Sequence, residues 1–342
     1  MGIVETDNLR IVKSHPLVSP AILEEELPHS EIAAEFVAAS RQTIKNILFG
    51  TDDRLMVIVG PCSIHDPDAA IEYAERLKVV ADDLEDQLFF VMRVYFEKPR
   101  TVVGWKGLIN DPDLDGTFRI NKGLRLARGL LRDVTNIGLP AATEFLDTTF
   151  GQYYTDLISW GAIGARTVES QIHRELASGL SMPVGIKNRT DGDIQVAVDA
   201  ICAASHKHLF PSLTKEGAPA ILETKGNPDC HLVLRGGEQP NFDAACVAQA
   251  QRLLKDAVLP EVLMVDCSHG NSGKDPARQP AVAQSVNEQR KHGNLGLRAI
   301  MVESHLVGGR QDLGKNLVRG QSITDACLGF EETRELLEAL AR

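Results

Sequence analysis

This 342-residue chain has no surplus of positive charge, no cysteine pairs, no long apolar run, no internal repeat and no low-complexity tract. Each absence excludes a class of protein. Lys and Arg number 36 against 47 Asp and Glu, a formal net charge of -11. Nucleic acid and anionic membranes need a basic surface field, so no nucleic-acid and no membrane partner is expected. Total charge taken alone also disfavours an anionic small ligand. No apolar run approaches the roughly 20 residues that span a bilayer. The opening MGIVETDNLRIVKSHP has neither the basic end nor the apolar centre of a signal peptide. A cytoplasmic protein is the expectation. The six cysteines (Cys62, Cys202, Cys230, Cys246, Cys267, Cys327) form no CxxC pair and no dense framework. That suits reduced thiols, most of them small core residues.

Hydrophobic content of 43% with 24% charged residues supports a large core and excludes intrinsic disorder. The length fits two ordinary domains or one large α/β barrel with an extension. Eight short apolar runs decide between them: 55–60, 88–96, 139–145, 162–168, 183–188, 231–237, 262–269 and 299–305. Each leads into a polar loop, and most are separated by stretches such as 68–84 and 121–134 with apolar steps of three and four. Parallel strands with crossover helices follow, and eight of them predict an α/β fold, a (β/α)8 TIM barrel over residues 46–342. The pair 208–213 and 220–224, joined by TKEGAP, reads as a β-hairpin inserted at about 206–226. Residues 1–45 precede the first strand as an N-terminal helical extension, with Ser30 as an N-cap. This arm is either a lid under the barrel or an oligomerisation and regulatory device.

Active sites of such barrels lie where the strands end. Those ends are basic here: Arg93, Lys98, Arg100, Arg166, Lys187 and Arg235. Six cations sharing one pocket would repel one another unless an anion binds between them, and Arg forks match phosphate and carboxylate. Any single one could instead pair with a rim carboxylate. The implied ligand is a phosphorylated polyanion. A second set, Cys62, His269, Glu303 and Asp325, arrives from separate strand ends and could enclose one divalent transition metal, Mn, Fe, Co or Zn. No two of these residues share a local motif, and on spacing alone a buried cysteine and a hydrogen-bonded histidine are the plainer reading. His65 and His305 compete for the ligand role; Glu144, Asp66 and Asp266 are candidates for acid/base or supporting work.

The motifs GPCSIHDP (60–67), MRVYFEKPRT (92–101), GWKGLINDP (104–112), LRGG (234–237), DCSHGNS (266–272), MVESH (301–305) and SITDAC (322–327), with the stretch 159–188, carry a resemblance. From about residue 7 onward the chain resembles the type I alpha class of 3-deoxy-D-arabino-heptulosonate 7-phosphate (DAHP) synthases. The resemblance implies a feedback-regulated transferase of the shikimate pathway that joins phosphoenolpyruvate to erythrose 4-phosphate on a metal-dependent barrel. Carried over by motif, Cys62, His269, Glu303 and Asp325 would be the metal ligands. Arg93, Lys98, Arg166, Lys187 and Arg235 would hold phosphoenolpyruvate, and Arg100 and Thr101 the sugar phosphate. Lys98, Lys187 and Glu144 would be the catalytic side chains. An aromatic amino acid effector would bind with help from Asp7, Asn8, Gly151 and Ser181, in a homodimer or homotetramer.

Some positions depart from the family pattern. Arg189 stands where relatives usually have glycine, so a backbone site tolerant of positive φ is lost or the pocket edge is altered. Val102 replaces a threonine near the sugar-phosphate loop, and 308–322 is shorter than in many relatives. Two other readings stand beside the synthase: a Schiff-base aldolase using Lys187, and a non-catalytic metabolite sensor.

Overall fold

The computed structural model describes residues 6–342. Two helices precede the first strand, α1 (Pro20–Glu26) and α2 (Glu31–Leu48), and the Ser30 hydroxyl accepts the Ala33 amide at 3.1 Å to start α2. The chain then alternates: β1 (Leu55–Gly60), α3 (Pro67–Asp83), β2 (Leu88–Arg93), α4 (Ile120–Ile137) and β3 (Ala141–Glu144). Two 3-10 turns, Phe150–Tyr153 and Thr155–Leu157, stand in place of a helix before β4 (Trp160–Ile163). Next come α5 (Gln171–Gly179), β5 (Val184–Lys187), α6 (Gln195–Ala204) and the antiparallel hairpin of β6 (Leu209–Leu213) and β7 (Pro219–Glu223). The last part holds β8 (Cys230–Leu234), α7 (Ala244–Asp256), β9 (Leu263–Asp266), the single turn α8 (His269–Ser272), α9 (Gln279–Lys291) and β10 (Leu297–Glu303). A small pair, β11 (Val307–Arg310) and β12 (Gln321–Ser322), leads into α10 (Phe330–Leu340).

Strands β1, β10, β9, β8, β5, β4, β3 and β2 pair in that order into a closed parallel barrel. All eight apolar runs are barrel strands, and the hairpin stands outside it. Some ends differ from expectation. The run 88–96 leaves the ladder after Arg93, and the run 162–168 forms its strand earlier, at Trp160–Ile163. Arg166 therefore lies three residues beyond a strand, in a turn closed by the Thr167 amide on the Gly164 carbonyl at 3.1 Å.

Strand alternation builds two cores. Leu55, Val57 and Val59 of β1 face the outer helices, whereas Met56 and Ile58 face the barrel interior with Val91, Trp160, Val233, Met264 and Met301. Ile44, Ile47 and Leu48 of α2, all fully buried, pack into this inner core. A division at residue 45 or 46 thus falls inside α2, whose C-terminal turn is part of the barrel's packing.

Candidate active site

Parallel register places the chemistry at one end of the barrel. Arg93, Glu144, Lys187, Asp266 and Glu303 are the last residues of β2, β3, β5, β9 and β10. Gly60 pairs with Glu303 across β1 and β10, so Cys62, two residues on, arrives beside the Glu303 carboxylate. Cys62, Glu303 and Asp325 each offer one ligand atom within 4.8 Å of the others, and the Cys62 thiol donates to Asp325 Oδ2 at 3.8 Å. Three of the four expected ligands are thereby gathered. His269 borders them, with Nε2 at 3.8 Å from Glu303 Oε1. His65 and His305, the competing histidines, are buried but stand outside this group.

The site's electrostatics suit a cation. Burial and the Glu303 charge push the Cys62 thiol up to about 11. Burial would raise Glu303 as well, yet the charges of His269, Arg93 and Lys98 bring it down to about 2. A buried ionised carboxylate beside a thiol and an imidazole is a donor set for a soft-to-borderline divalent metal, whose arrival would release the thiol proton. Behind it, Asp266 accepts Lys187 Nζ at 2.8 Å and lies 2.9 Å from His269 Nδ1, the latter a close contact without good hydrogen-bond alignment. Burial works against ionised Asp266, but His269 and Lys187 hold it well below the usual carboxylate range.

Above this layer a cavity of about 210 Å³ is lined by Lys98, Arg100, Arg166, Lys187, Arg235 and Lys274. Only Glu144 and Asp325 oppose them among its lining carboxylates. Arg235 is held by its neighbours: its amide donates to Asn188 Oδ1 at 2.7 Å, while Asn188 Nδ2 donates to the Gly236 carbonyl at 3.0 Å. Burial and nearby Arg166 disfavour its charge, the condition expected of a cation waiting for an anion. Arg93 lies deeper. It is fully buried, donates to Glu303 Oε1 at 3.1 Å and to the Pro61 carbonyl at 3.2 Å, and stacks 4.0 Å from the Tyr95 ring centre. Arg100 lies exposed at the mouth, donating to the Trp105 carbonyl at 2.8 Å, and Thr101 is exposed beside it without lining the cavity. Sequence reasoning missed Lys274 and Asn188. Lys274 was in view five residues after His269, but far from any strand end; Asn188 gave no signal, because its role is to fix another residue's backbone.

A second cavity of about 590 Å³ lies between the 3-10 turns, the end of α5 and the hairpin. Gly151 and Ser181 line it, with Gln152, Phe210 and Ile221. Asp7 and Asn8 are exposed and do not. Hairpin residue Lys215 pairs with Glu24 of α1 at 2.5 Å and donates to the Gln152 carbonyl at 2.6 Å, joining arm, cavity and hairpin. Arg189 has no positive φ, so a lost flexible backbone position is not the consequence of that departure. Its guanidinium instead pairs with Glu169 at 2.8 Å and Asp191 at 2.6 Å on the surface. Val102 is exposed.

Residues 31–338 match the DAHP synthetase I family. The phospho-2-dehydro-3-deoxyheptonate aldolase of Escherichia coli K12 described as Phe-sensitive is 56% identical over 339 residues, covering 98% of this chain and 97% of that one. A Trp-sensitive counterpart from Enterobacter agglomerans is 54% identical with the same coverage. The solved structure of this aldolase from Francisella tularensis SCHU S4 superposes with a TM-score of 0.95 at 54% identity, covering 97% of this chain and 98% of that one.

Proposed function

Since the chain belongs to the DAHP synthetase I family, we propose that it condenses phosphoenolpyruvate with erythrose 4-phosphate and water to give DAHP and phosphate. The observation that carries this reading is the stacking of two layers: the Cys62, Glu303 and Asp325 donor set with His269 at its edge, and the six-cation cavity directly above. Two substrates that together carry about five negative charges can approach each other only in such a field.

Lys98, Lys187, Arg166 and Arg235 bind the phosphate and carboxylate of phosphoenolpyruvate, with Arg93 beneath them; Arg100 and Thr101 take the sugar phosphate at the mouth. The Asp266 contact keeps the Lys187 ammonium aimed at the cavity and engaged, which speaks against a free Schiff-base amine there. Cys62, Glu303 and Asp325, with His269 beside them, would hold a divalent metal, which when bound would supply Lewis acidity toward the aldehyde oxygen. The methylene carbon of phosphoenolpyruvate forms a bond to the aldehyde carbon as its own C=C π bond breaks, and the aldehyde oxygen takes a proton to become a hydroxyl. Water adds at the neighbouring carbon, the one that bears the phosphate oxygen; of its two protons one replaces that taken up by the new hydroxyl and the other leaves with phosphate, as the carbon–oxygen bond to phosphate breaks and the ketone C=O forms. Glu144, at the cavity wall, is placed to orient that water or a substrate hydroxyl. Protein stripped with chelator should lose turnover, followed as loss of phosphoenolpyruvate absorbance, and regain it with Mn, Fe, Co or Zn; full turnover after thorough chelation refutes the reading.

In the same reading residues 46–342 are the catalytic barrel. The arm of residues 1–45, whose first five lie outside the described residues, serves oligomerisation and regulation, and the inserted hairpin at about 206–226 lines the second cavity. An aromatic amino acid occupies the Gly151 and Ser181 cavity. Asp7 and Asn8 do not line it in one chain, so they contribute only in a homodimer or homotetramer.

A further inference from the structure

We propose that Lys274 is a binding residue for a phosphate monoester at the mouth of the strand-end cavity, and that the turn carrying it is built to hold it there. This rests on the synthase reading above. Helix α8 is a single turn that ends in two left-handed residues, Gly273 at φ +62° and Lys274 at φ +64°. The Gly273 amide donates to the Gly270 carbonyl at 3.2 Å and the Lys274 amide to the His269 carbonyl at 2.8 Å, the paired bonds of a Schellman closure. Glycine is ordinary at the first position. A lysine in the left-handed region is not, and such a residue persists only where its surroundings enforce it.

The enforcement is visible. The Gly270 amide donates to the Arg235 carbonyl at 3.0 Å, and Asn271 Nδ2 to the carbonyls of Leu234 and Asp266 at 3.1 and 2.9 Å. A Cβ on Gly236 would meet the Asn271 nitrogen at 2.5 Å, so the loops after β8 and β9 touch backbone to backbone. The turn is therefore tied through its backbone to the loops that carry Arg235 and His269.

The side chain has no structural employment. Lys274 is exposed, and among the described residues no carboxylate lies within ion-pair distance of its ammonium. The adjacent acid, Asp275, is occupied by the Ala277 amide at 3.0 Å and by Arg278 at 3.4 Å. What Lys274 does face is the cavity it shares with Lys98, Arg100, Arg166, Lys187 and Arg235. A sixth cation added to a pocket already self-repelling is favourable only when a dianion is present.

The phosphate could belong to phosphoenolpyruvate, to the sugar phosphate or to the released product, and the experiment separates them. Lys274→Asn removes the charge while tolerating a left-handed backbone; Lys274→Arg keeps the charge. The loss of one charge-assisted bond predicts a rise of about 10- to 100-fold in one KM, or in the inhibition constant of inorganic phosphate, for Lys274→Asn, with most of it recovered in Lys274→Arg. Whichever constant moves names the phosphate. Calorimetric titration of inorganic phosphate into wild type and Lys274→Asn makes the same comparison without turnover, so an inactive wild type would defeat the synthase reading and leave this one still decided. Unchanged constants throughout would overturn the proposal, as would a fall in bound metal with phosphate affinity intact, which would assign Lys274 to the turn alone.

Discussion

Two buried ionisable side chains make the barrel's stability depend on pH with opposite signs. His231 in β8 is 2% exposed and accepts the Trp160 indole N–H at 3.3 Å, and burial lowers it to about 4. It must stay neutral in the fold while the unfolded chain protonates near 6.5, so its stabilisation is present above that value and fades as pH falls toward 4, by roughly 3 kcal/mol. Glu97, 4% exposed, accepts the Asp147 amide and is raised to about 8 by burial and by the nearby Asp147 and Glu144 charges. Its folded value is raised, so its contribution is complete below about 4.5 and is lost as pH climbs through 8. Between pH 5 and about 6.5 the two slopes oppose and offset each other, so wild-type denaturant midpoints should stay nearly level there and fall from about 6.5 to 8. His231→Gln should leave a decline that starts already at about pH 5, and Glu97→Gln a curve that falls below about pH 6.5 and is level above it; parallel curves for all three proteins would contradict this. Neither role was legible beforehand, since a lone histidine in HLVL and a glutamate in FEKP look like any others until burial and neighbours are known.

Helix α2 shows what an element's own pattern says and omits. Its apolar spacing and the Ser30 cap were readable, and the amphipathic face is real. The partner of that face was not, because sequence periodicity reports that a stripe is buried and never against what. The partner is the inner barrel core, where fully buried Ile47 meets residues of several strands. Ile47→Ala should cost about 2 to 5 kcal/mol in denaturant unfolding. Metal content should stay at the wild-type level, since the plug sits at the opposite end from Cys62 and Glu303. The arm is pinned further by Arg128 of α4, which donates to the Leu27 carbonyl at 2.9 Å and grips Asp156 with two bonds of 2.8 Å. The short hairpin was equally legible, its turn marked by glycine; its contact with Glu24 of α1 through Lys215 was not.

At the scale of the molecule, a net charge of -11 coexists with a cavity where six cations face two carboxylates. Total charge bears on extended polyanions and not on a focused pocket, so the cation-lined cavity removes the ground for the first expectation about small anions. The second cavity is bounded by the 3-10 turns, the end of α5 and the hairpin, and the arm reaches it through Glu24 on Lys215. Phenylalanine, tyrosine and tryptophan should differ in the thermal shift they produce, one of them raising the melting temperature by several degrees at saturating concentration. No response to any of the three would refute the regulatory reading. Relatives sensitive to different amino acids stand at 56% and 54% identity, so overall similarity does not choose among them.

The order of eight apolar runs, their polar ends and the motifs around Cys62, His269, Glu303 and Asp325 were enough to read the barrel and its catalytic end, because strand pairing in a (β/α)8 fold follows chain order almost throughout. Distances were not. The closure of the barrel decides that β1 lies against β10, and with it that a thiol and a carboxylate 241 positions apart in number, Cys62 and Glu303, share one cluster. Closure likewise decides that Lys274, remote from any strand end in sequence, faces the same cavity as Arg235. Local pattern is written in the spacing of side chains along the chain; proximity between loops depends on how backbone packs on backbone, as at Gly236 and Asn271, and only the folded molecule contains it.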